Sequence, residues 1–198
     1  MALKFRNLLG VVFAVFGLSA CATQPWAIGG SLGYFDADLK GSAFSGSVDE
    51  RDLLYALHAR LDPGQEHKIV WEVEASTGGE ISFDGEYEGF SDRGKIEPDL
   101  YSVRLGYDVP VGNKFTVGGR IGATYADVDE SEVFDGFPER SSASDVDPTV
   151  GVLVNYRIND KWSVGASLDR HFDVGEKNET GEGDMDVLAL RLERRFGG

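Results

Sequence analysis

The most informative feature of this sequence is the regular alternation of apolar and polar positions between residues 26 and 196. In the clearest run, 101–109, bulky apolar residues at the odd positions alternate with Ser102, Arg104 and Asp108. A period of two is typical of a β-strand with one apolar face. Eight such runs are present, at residues 26–34, 53–61, 69–75, 101–109, 115–125, 150–158, 162–172 and 187–196. The pattern therefore predicts eight strands.

The connections between these runs alternate in length. Three are short and rich in turn-forming residues, at 62–66, 110–113 and 159–161, and four are longer and polar, at 40–51, 76–99, 127–147 and 173–184. An up-and-down barrel with short periplasmic turns and long external loops has this order of connections. We therefore predict an all-β fold, an eight-stranded antiparallel up-and-down transmembrane β-barrel.

The composition of the two strand faces distinguishes a membrane barrel from a soluble one. One face carries the large apolar residues, and the other combines Gly, Ser and Thr with ionisable side chains. Small residues and balanced charges suit a narrow interior, because an unpaired buried ion is costly. The predicted interior polar network is Arg60, Glu72, Glu74, Arg104, Asp108, Arg120, Arg157, Asp169, His171, Arg191, Glu193 and Arg195. We expect these side chains to fill the barrel as a polar plug and the apolar face to contact lipid.

Aromatic residues cluster at the two ends of the predicted strands. Trp26, Tyr107, Phe115, Tyr156, Trp162 and Phe196 lie next to short turns or termini, whereas Tyr34, Tyr55, Tyr101, Tyr125 and Phe172 lie next to long loops. Ten residues of tilted strand separate the two groups, a height of about 25 Å. This placement predicts two aromatic girdles at the membrane interfaces.

One hairpin carries a family resemblance. Asn155-Tyr156-Arg157-Ile158-Asn159-Asp160-Lys161-Trp162-Ser163 resembles the Y-x-[IF]-x-[DN]-x-W-[ST] turn of outer-membrane protein A-like and opacity-like barrels. The resemblance implies an eight-stranded barrel of the bacterial outer membrane, in contact with outer-membrane lipid and lipopolysaccharide. It also implies recognition by the barrel-insertion machinery through a terminal aromatic residue, here Phe196, which Gly197 and Gly198 follow.

The N-terminus reads as a secretory signal. Lys4 and Arg6 precede an apolar run at 8–18, which is followed by small residues. This layout, too short to span a bilayer, predicts a signal peptide at 1–21 and a barrel at 22–198. Ala20-Cys21-Ala22 fits an A-x-A cleavage site, and Leu18-Ser19-Ala20-Cys21 fits a lipobox, so lipidation of Cys21 and its loss with the signal both remain open.

The net charge of −15 is concentrated in the long connections; segment 127–147 holds eight acids and one base. Such a surface repels polyanions, and we expect no nucleic-acid binding. A calcium loop starting at Asp127 fails, because Glu132 and Pro138 stand where glycine and glutamate are required. We expect no metal and no cofactor.

The enzymatic candidate is Arg170-His171-Phe172, which resembles a segment of lipid A deacylases. Those enzymes have a serine two residues after the histidine, whereas this chain has Asp173. Alternation turns His171 inward, toward Asp169, and Ser167 is the nearby inward serine. We therefore expect no catalytic site and a structural or surface-interaction role for the acidic external loops. A lipid-modifying enzyme, a small-solute pore and a soluble ligand-carrying barrel are the alternatives.

Overall fold

The structure, a computed structural model, describes residues 25–40, 47–61, 68–87, 90–134, 137–176 and 181–197. Its strands are β1 (Trp26–Lys40), β2 (Ser47–Leu61), β3 (Ile69–Thr77), β4 (Ile81–Tyr87), β5 (Phe90–Val111), β6 (Phe115–Phe134), β7 (Phe137–Arg157), β8 (Trp162–Glu176) and β9 (Gly181–Phe196). Within these ranges, no helix has the length and apolar character needed to cross a membrane. The signal segment and Cys21 lie outside the described residues.

The strands form a closed antiparallel ring. Sequence neighbours pair around the wall, β3 pairs with β5, and β1 pairs with β9 from Trp26↔Phe196 to Lys40↔Glu182. Eight strands make the ring, since β4 pairs only with β5 and prolongs the third wall strand outward. The predicted fold class is confirmed.

The joint between β3 and β4 depends on two glycines. Gly78 and Gly79 have φ angles of 100° and 87°. L-residues with side chains rarely adopt this region, so a glycine pair is suited to a joint where the strand bends and resumes. Asp52 on β2 supports the joint, because its carboxylate accepts the backbone N–H of Glu80 at 2.9 Å.

The long connections differ from the prediction, which treated them as loops. Strands β6 and β7 stay paired out to Phe134↔Phe137, and β4 and β5 out to Tyr87↔Phe90. Beyond the membrane a strand does not need an apolar outer face, so a polar segment can continue the ladder. We call the portions 81–87, 90–98, 127–134 and 137–148 the external sheet.

The barrel interior has two layers, which corrects the prediction of a polar plug throughout. Its external half is an apolar cluster of buried side chains: Phe35, Ala37, Leu54, Ile96, Leu100, Ala126, Val128, Val174, Met185, Val187 and Ala189. The ion-paired side chains centred on Arg104 and Asp108 fill the half nearer the short turns. The external half is therefore closed by packing and the other half by ion pairs.

Candidate functional site

Arg104 on β5 is the centre of the ion-paired half. Its side chain is fully buried, with Nη2 2.6 Å from Glu74 Oε1 and 3.2 Å from Glu72 Oε1. Its Nη1 lies 2.8 Å from Asp169 Oδ1 across the barrel. A guanidinium has five donors in a fixed plane, which allows it to serve carboxylates from several strands at once.

Glu72 joins Arg104 to the strand that closes the ring. Arg191 on β9 binds Glu72 with both terminal nitrogens, at 2.7 and 3.2 Å. Arg191 also lies 3.4 Å from Glu193, and Glu193 lies 3.3 Å from His58 Nε2. The polar network therefore runs from β3 across the interior to β9, where Glu193 lies beside His58 of β2.

Asp108 forms a second junction nearer the short turns. It accepts a hydrogen bond from Arg120 Nη1 at 2.7 Å and also binds Arg60. The three side chains are almost completely buried. A buried carboxylate shared by two guanidiniums satisfies charges that neither strand could neutralise alone.

Most of the predicted interior residues lie where the alternation put them. Buried members are Arg60, Glu72, Arg104, Asp108, Arg120, Asp169, His171, Arg191 and Glu193. Glu74 and Arg195 are half-buried, and Arg157 is exposed. The placement of Arg157 is corrected: it is the last residue of β7, where the wall ends and its side chain reaches water. His58, assigned no role from sequence, belongs to the network, and its inward phase with Arg60 was the available signal.

His171 faces the interior, as the alternation predicted. Contrary to the prediction, it does not join Asp169. Its Nδ1 lies 2.9 Å from Thr124 Oγ1, which in turn lies 2.8 Å from Ser102 Oγ. Asp169 instead binds Arg104. The result is a buried hydrogen-bonded chain of neutral groups rather than a nucleophile, base and acid.

The packed interior leads to a prediction about conductance. The apolar cluster and the ion-paired half each fill the cross-section with buried side chains, as expected for eight strands. We expect the purified protein to give no stable current steps in planar lipid bilayers. A sixteen-stranded porin, reconstituted in the same way, provides the positive control. Regular conductance steps from this barrel would contradict the closed interior.

The outer surface carries the aromatic residues. At the end with the short turns, Trp26 stacks on Phe196 at 4.2 Å between ring centroids, and Phe115 packs against Tyr156 at 5.0 Å. At the opposite end, Tyr101 and Tyr125 are 6.2 Å apart. The remaining predicted girdle residues, Tyr34, Tyr55, Tyr107, Trp162 and Phe172, are exposed or half-buried on the same outer face.

The hairpin between β7 and β8 shows what its asparagine does. Asn159 Oδ1 accepts the backbone N–H groups of Lys161 and Trp162, each at 2.9 Å. Arg195 N donates to the Lys161 carbonyl at 2.7 Å and ties the turn to β9. The turn is thereby fixed, and Trp162 is held on the outer face.

The wall opens on the external side between β7 and β8. These strands pair only from Thr149↔His171 to Arg157↔Ser163, while β7 continues outward against β6. Strand β8 turns away at a bulge, where Asp173 has a φ of 54°. We call residues 142–148 of β7 the external edge. They pair with β6 on one side, and no strand of the described residues pairs with them on the other side.

Carboxylates line this opening. Asp147, on the external edge, is 5% exposed, and its Oδ2 has no hydrogen-bond partner among the described residues. The charges of Asp145, Asp173 and Glu182 act on it from both sides of the opening. The site therefore holds a buried carboxylate in a negative field.

Two ionisable groups elsewhere on the external side have pKa values that their neighbours displace from the ordinary ones. Hydrogen bonds from the backbone N–H groups of Leu53 and Glu80 hold the pKa of Asp52 below its ordinary value. Glu80, 2.6 Å from Lys95 Nζ, raises the pKa of Lys95 through a hydrogen bond and its charge. Both groups therefore keep their charges near neutral pH and help to fix the β3–β4 joint.

Solved structures share this architecture. The attachment invasion locus protein Ail of Yersinia pestis is similar, with a TM-score of 0.52 and 17% identity over 87% of this chain and 99% of that one. A major outer membrane protein of Thermus thermophilus is similar with a TM-score of 0.55 and 13% identity, over 85% of this chain and 99% of that one. Identities this low establish the fold alone. No curated protein matches the sequence.

The family is established by sequence. The model of the outer membrane protein beta-barrel domain matches residues 9–196, nearly the whole chain. The closed eight-stranded ring, the lipid-facing apolar surface and the aromatic girdles agree with that match. The chain therefore belongs to the outer membrane protein β-barrel domain family and is a protein of the bacterial outer membrane.

Proposed function

We propose that this chain is a non-enzymatic surface-interaction barrel, which binds an extended, positively charged polypeptide at its external edge. The observation that carries the proposal is the one-sided pairing of residues 142–148, which pair with β6 and with no other strand of the described chain. An exposed strand edge is a template for another strand, and main-chain hydrogen bonds supply the affinity.

The charges around the edge select the partner. An incoming strand would place a side chain beside Asp147, since cross-strand neighbours lie about 5 Å apart. A lysine or arginine there would pair the buried carboxylate and relieve its repulsion from Asp145, Asp173 and Glu182. An acidic strand would meet like charge from Asp145, Asp147, Asp173 and Glu182.

The non-enzymatic part of the proposal rests on His171. Its imidazole is buried and hydrogen-bonded to Thr124, away from the lipid-facing surface. Ser167, the serine available on the same strand, is also buried and hydrogen-bonded to Asp169. Neither side chain is positioned to reach a lipid substrate.

Binding of short synthetic peptides to the barrel in nanodiscs tests this function. The probe is an eight-residue peptide of alternating lysine and threonine with a fluorescent label, and anisotropy is the readout. We expect this peptide to bind, its fully N-methylated form to lose binding, and a glutamate–threonine peptide not to bind. Binding of the N-methylated form as tight as that of the parent would overturn strand addition.

A variant pair tests the role of Asp147 in the same assay. Asp147→Asn removes the charge and should weaken binding of the lysine–threonine peptide at least about tenfold. The reason is that a hydrogen bond between charged groups contributes about 1.5–3 kcal/mol. Glu139→Gln, an exposed change on the same strand, serves as the matched control and should leave affinity unchanged. Equal effects of the two substitutions would contradict the assignment.

A further inference from the structure

The end of the barrel with the short turns has a charge opposite to that of the external side. Its exposed ionisable side chains in the described residues are five cations and one acid: Lys68, Lys114, Arg157, Lys161, Arg194 and Asp160. Short turns lie on the periplasmic side of such barrels. In the residues that the structure describes, the periplasmic rim is therefore basic, and its girdle position corresponds to the depth of the lipid headgroups.

Arg194 differs from the other cations because its guanidinium lies against two aromatic rings on the lipid-facing surface, whereas Lys114 lies over one, that of Tyr156, at 5.5 Å. Its Cζ is 5.0 Å from the ring centroid of Phe196 and 5.8 Å from that of Trp162. Phe196 is itself stacked on Trp26. The position on β9 continues the exposed apolar row of Leu190 and Leu192. Cation–π contacts of this kind fix the plane of a guanidinium and leave its N–H groups available.

No carboxylate of the described residues neutralises Arg194. At the opposite girdle, Arg170 provides the contrast, since its Cζ also lies over a ring, that of Phe172, at 5.8 Å. Arg170, however, is paired with Asp184 at 3.4 Å and Asp186 at 3.2 Å. Among the described residues, one stacked arginine is therefore paired with anions and the other is not.

We propose that Arg194, held by Trp162 and Phe196, binds the phosphodiester headgroup of a phospholipid in the periplasmic leaflet. A guanidinium matches phosphate oxygens with two parallel hydrogen bonds, and these charge-assisted bonds are among the strongest in proteins. The phosphodiester is the anion present at this depth of the membrane. Lys161 adds a second positive charge to the site, next to Trp162 on the turn that Asn159 and the Arg195–Lys161 hydrogen bond hold in place.

The proposal is independent of the external edge, which lies at the other end of the barrel. The hairpin motif positions the lipid site. Asn159 fixes the turn, the turn places Trp162, and Trp162 orients Arg194. The specificity is for the phosphodiester group and not for the acyl chains.

Native mass spectrometry of the folded protein in mild detergent, titrated with phosphatidylglycerol, tests the site. We expect Arg194→Gln to weaken binding of the first lipid about fivefold, the effect of one basic residue at a membrane surface. Arg170→Gln is the matched control, because it removes a stacked arginine whose charge is already paired. Arg194→Lys should restore part of the affinity, since it keeps the charge without the planar fork.

Three results would overturn the proposal. One is equal lipid binding by the wild-type and Arg194→Gln proteins, and another is an equal loss in Arg170→Gln. The third is displacement of the lipid by inorganic phosphate at the same concentration, which would assign the site to free phosphate. Faster migration of each unboiled variant on a gel confirms that all of them are folded before lipid is added.

Discussion

Replacement of Arg104 by glutamine is expected to lower the free energy of unfolding by about 3–5 kcal/mol, the usual cost of removing one partner from a buried ion cluster. Arg104 contacts Glu72, Glu74 and Asp169, so the substitution leaves three carboxylates in the interior with one positive partner fewer. Glutamine is shorter and uncharged, and it cannot replace contacts to three different carboxylates.

Urea unfolding in detergent micelles, followed on gels by the unboiled band, measures this effect. Arg157→Gln is the matched control, because it makes the same arginine-to-glutamine change at an exposed position on β7. Its free energy should change by no more than about 0.5 kcal/mol. Identical unfolding midpoints for the two variants would show that the interior tolerates the loss of Arg104.

Gly122→Val is the second substitution with a large expected effect. A Cβ at Gly122 would collide with the carbonyl oxygen of Val103 and lie 2.8 Å from Arg104 Cα. Both are backbone atoms of the neighbouring strand, so the clash can be relieved only by moving β5 relative to β6. We expect destabilisation of about 3 kcal/mol, the upper end for overpacking, and a reduced yield of folded barrel.

Gly119→Val is the control for this experiment. Gly119 lies three residues earlier on the same strand and faces outward, where an added Cβ meets nothing within 4 Å. A β-branched residue is favoured on a strand, so this variant should refold from urea as well as the wild type. Comparable loss of folded protein in both variants would attribute the effect to strand glycines in general and not to the crowded interior.

The sequence predicted the membrane-spanning part of the barrel well because one physical constraint governs it. Lipid requires an apolar outer face, so the inward positions of Glu72, Arg104 and Arg191 could be read from alternation alone. Arg157 is the exception. Its phase is inward, but phase says nothing about how far the wall extends, and a residue at the strand end reaches water regardless.

The apolar external half was not predicted, because beyond the girdle the apolar residues of the alternation occupy the inward positions instead of the outward ones. Phe35, Ile96 and Val128 point inward, while Asp36, Lys95 and Asp129 occupy the other face. Above the membrane the outer face meets water and the inner face must still pack, so the apolar positions exchange faces. That exchange is visible in the sequence, and it separates a strand that continues outside the bilayer from a loop.

The external edge could not be predicted, because it depends on where strands part. Asp145 and Asp147 belong to the acidic connection 127–147, and nothing in their local sequence shows that β8 turns away at Asp173. A strand edge is defined by its missing neighbour, which only the register of the whole sheet reveals. The same holds for the pairing of Arg170 and the contrasting exposure of Arg194.

The ion pair between Glu72 and Arg191 has a consequence for assembly. The two residues are 119 positions apart, and β9 completes the ring by pairing with β1. In an open sheet at bilayer depth, Arg191 would face lipid instead of Glu72, and an arginine exposed to lipid near the bilayer midplane costs about 2–4 kcal/mol. An open, inserted sheet is therefore disfavoured relative to the closed ring, and the buried charges favour closure of the ring together with insertion.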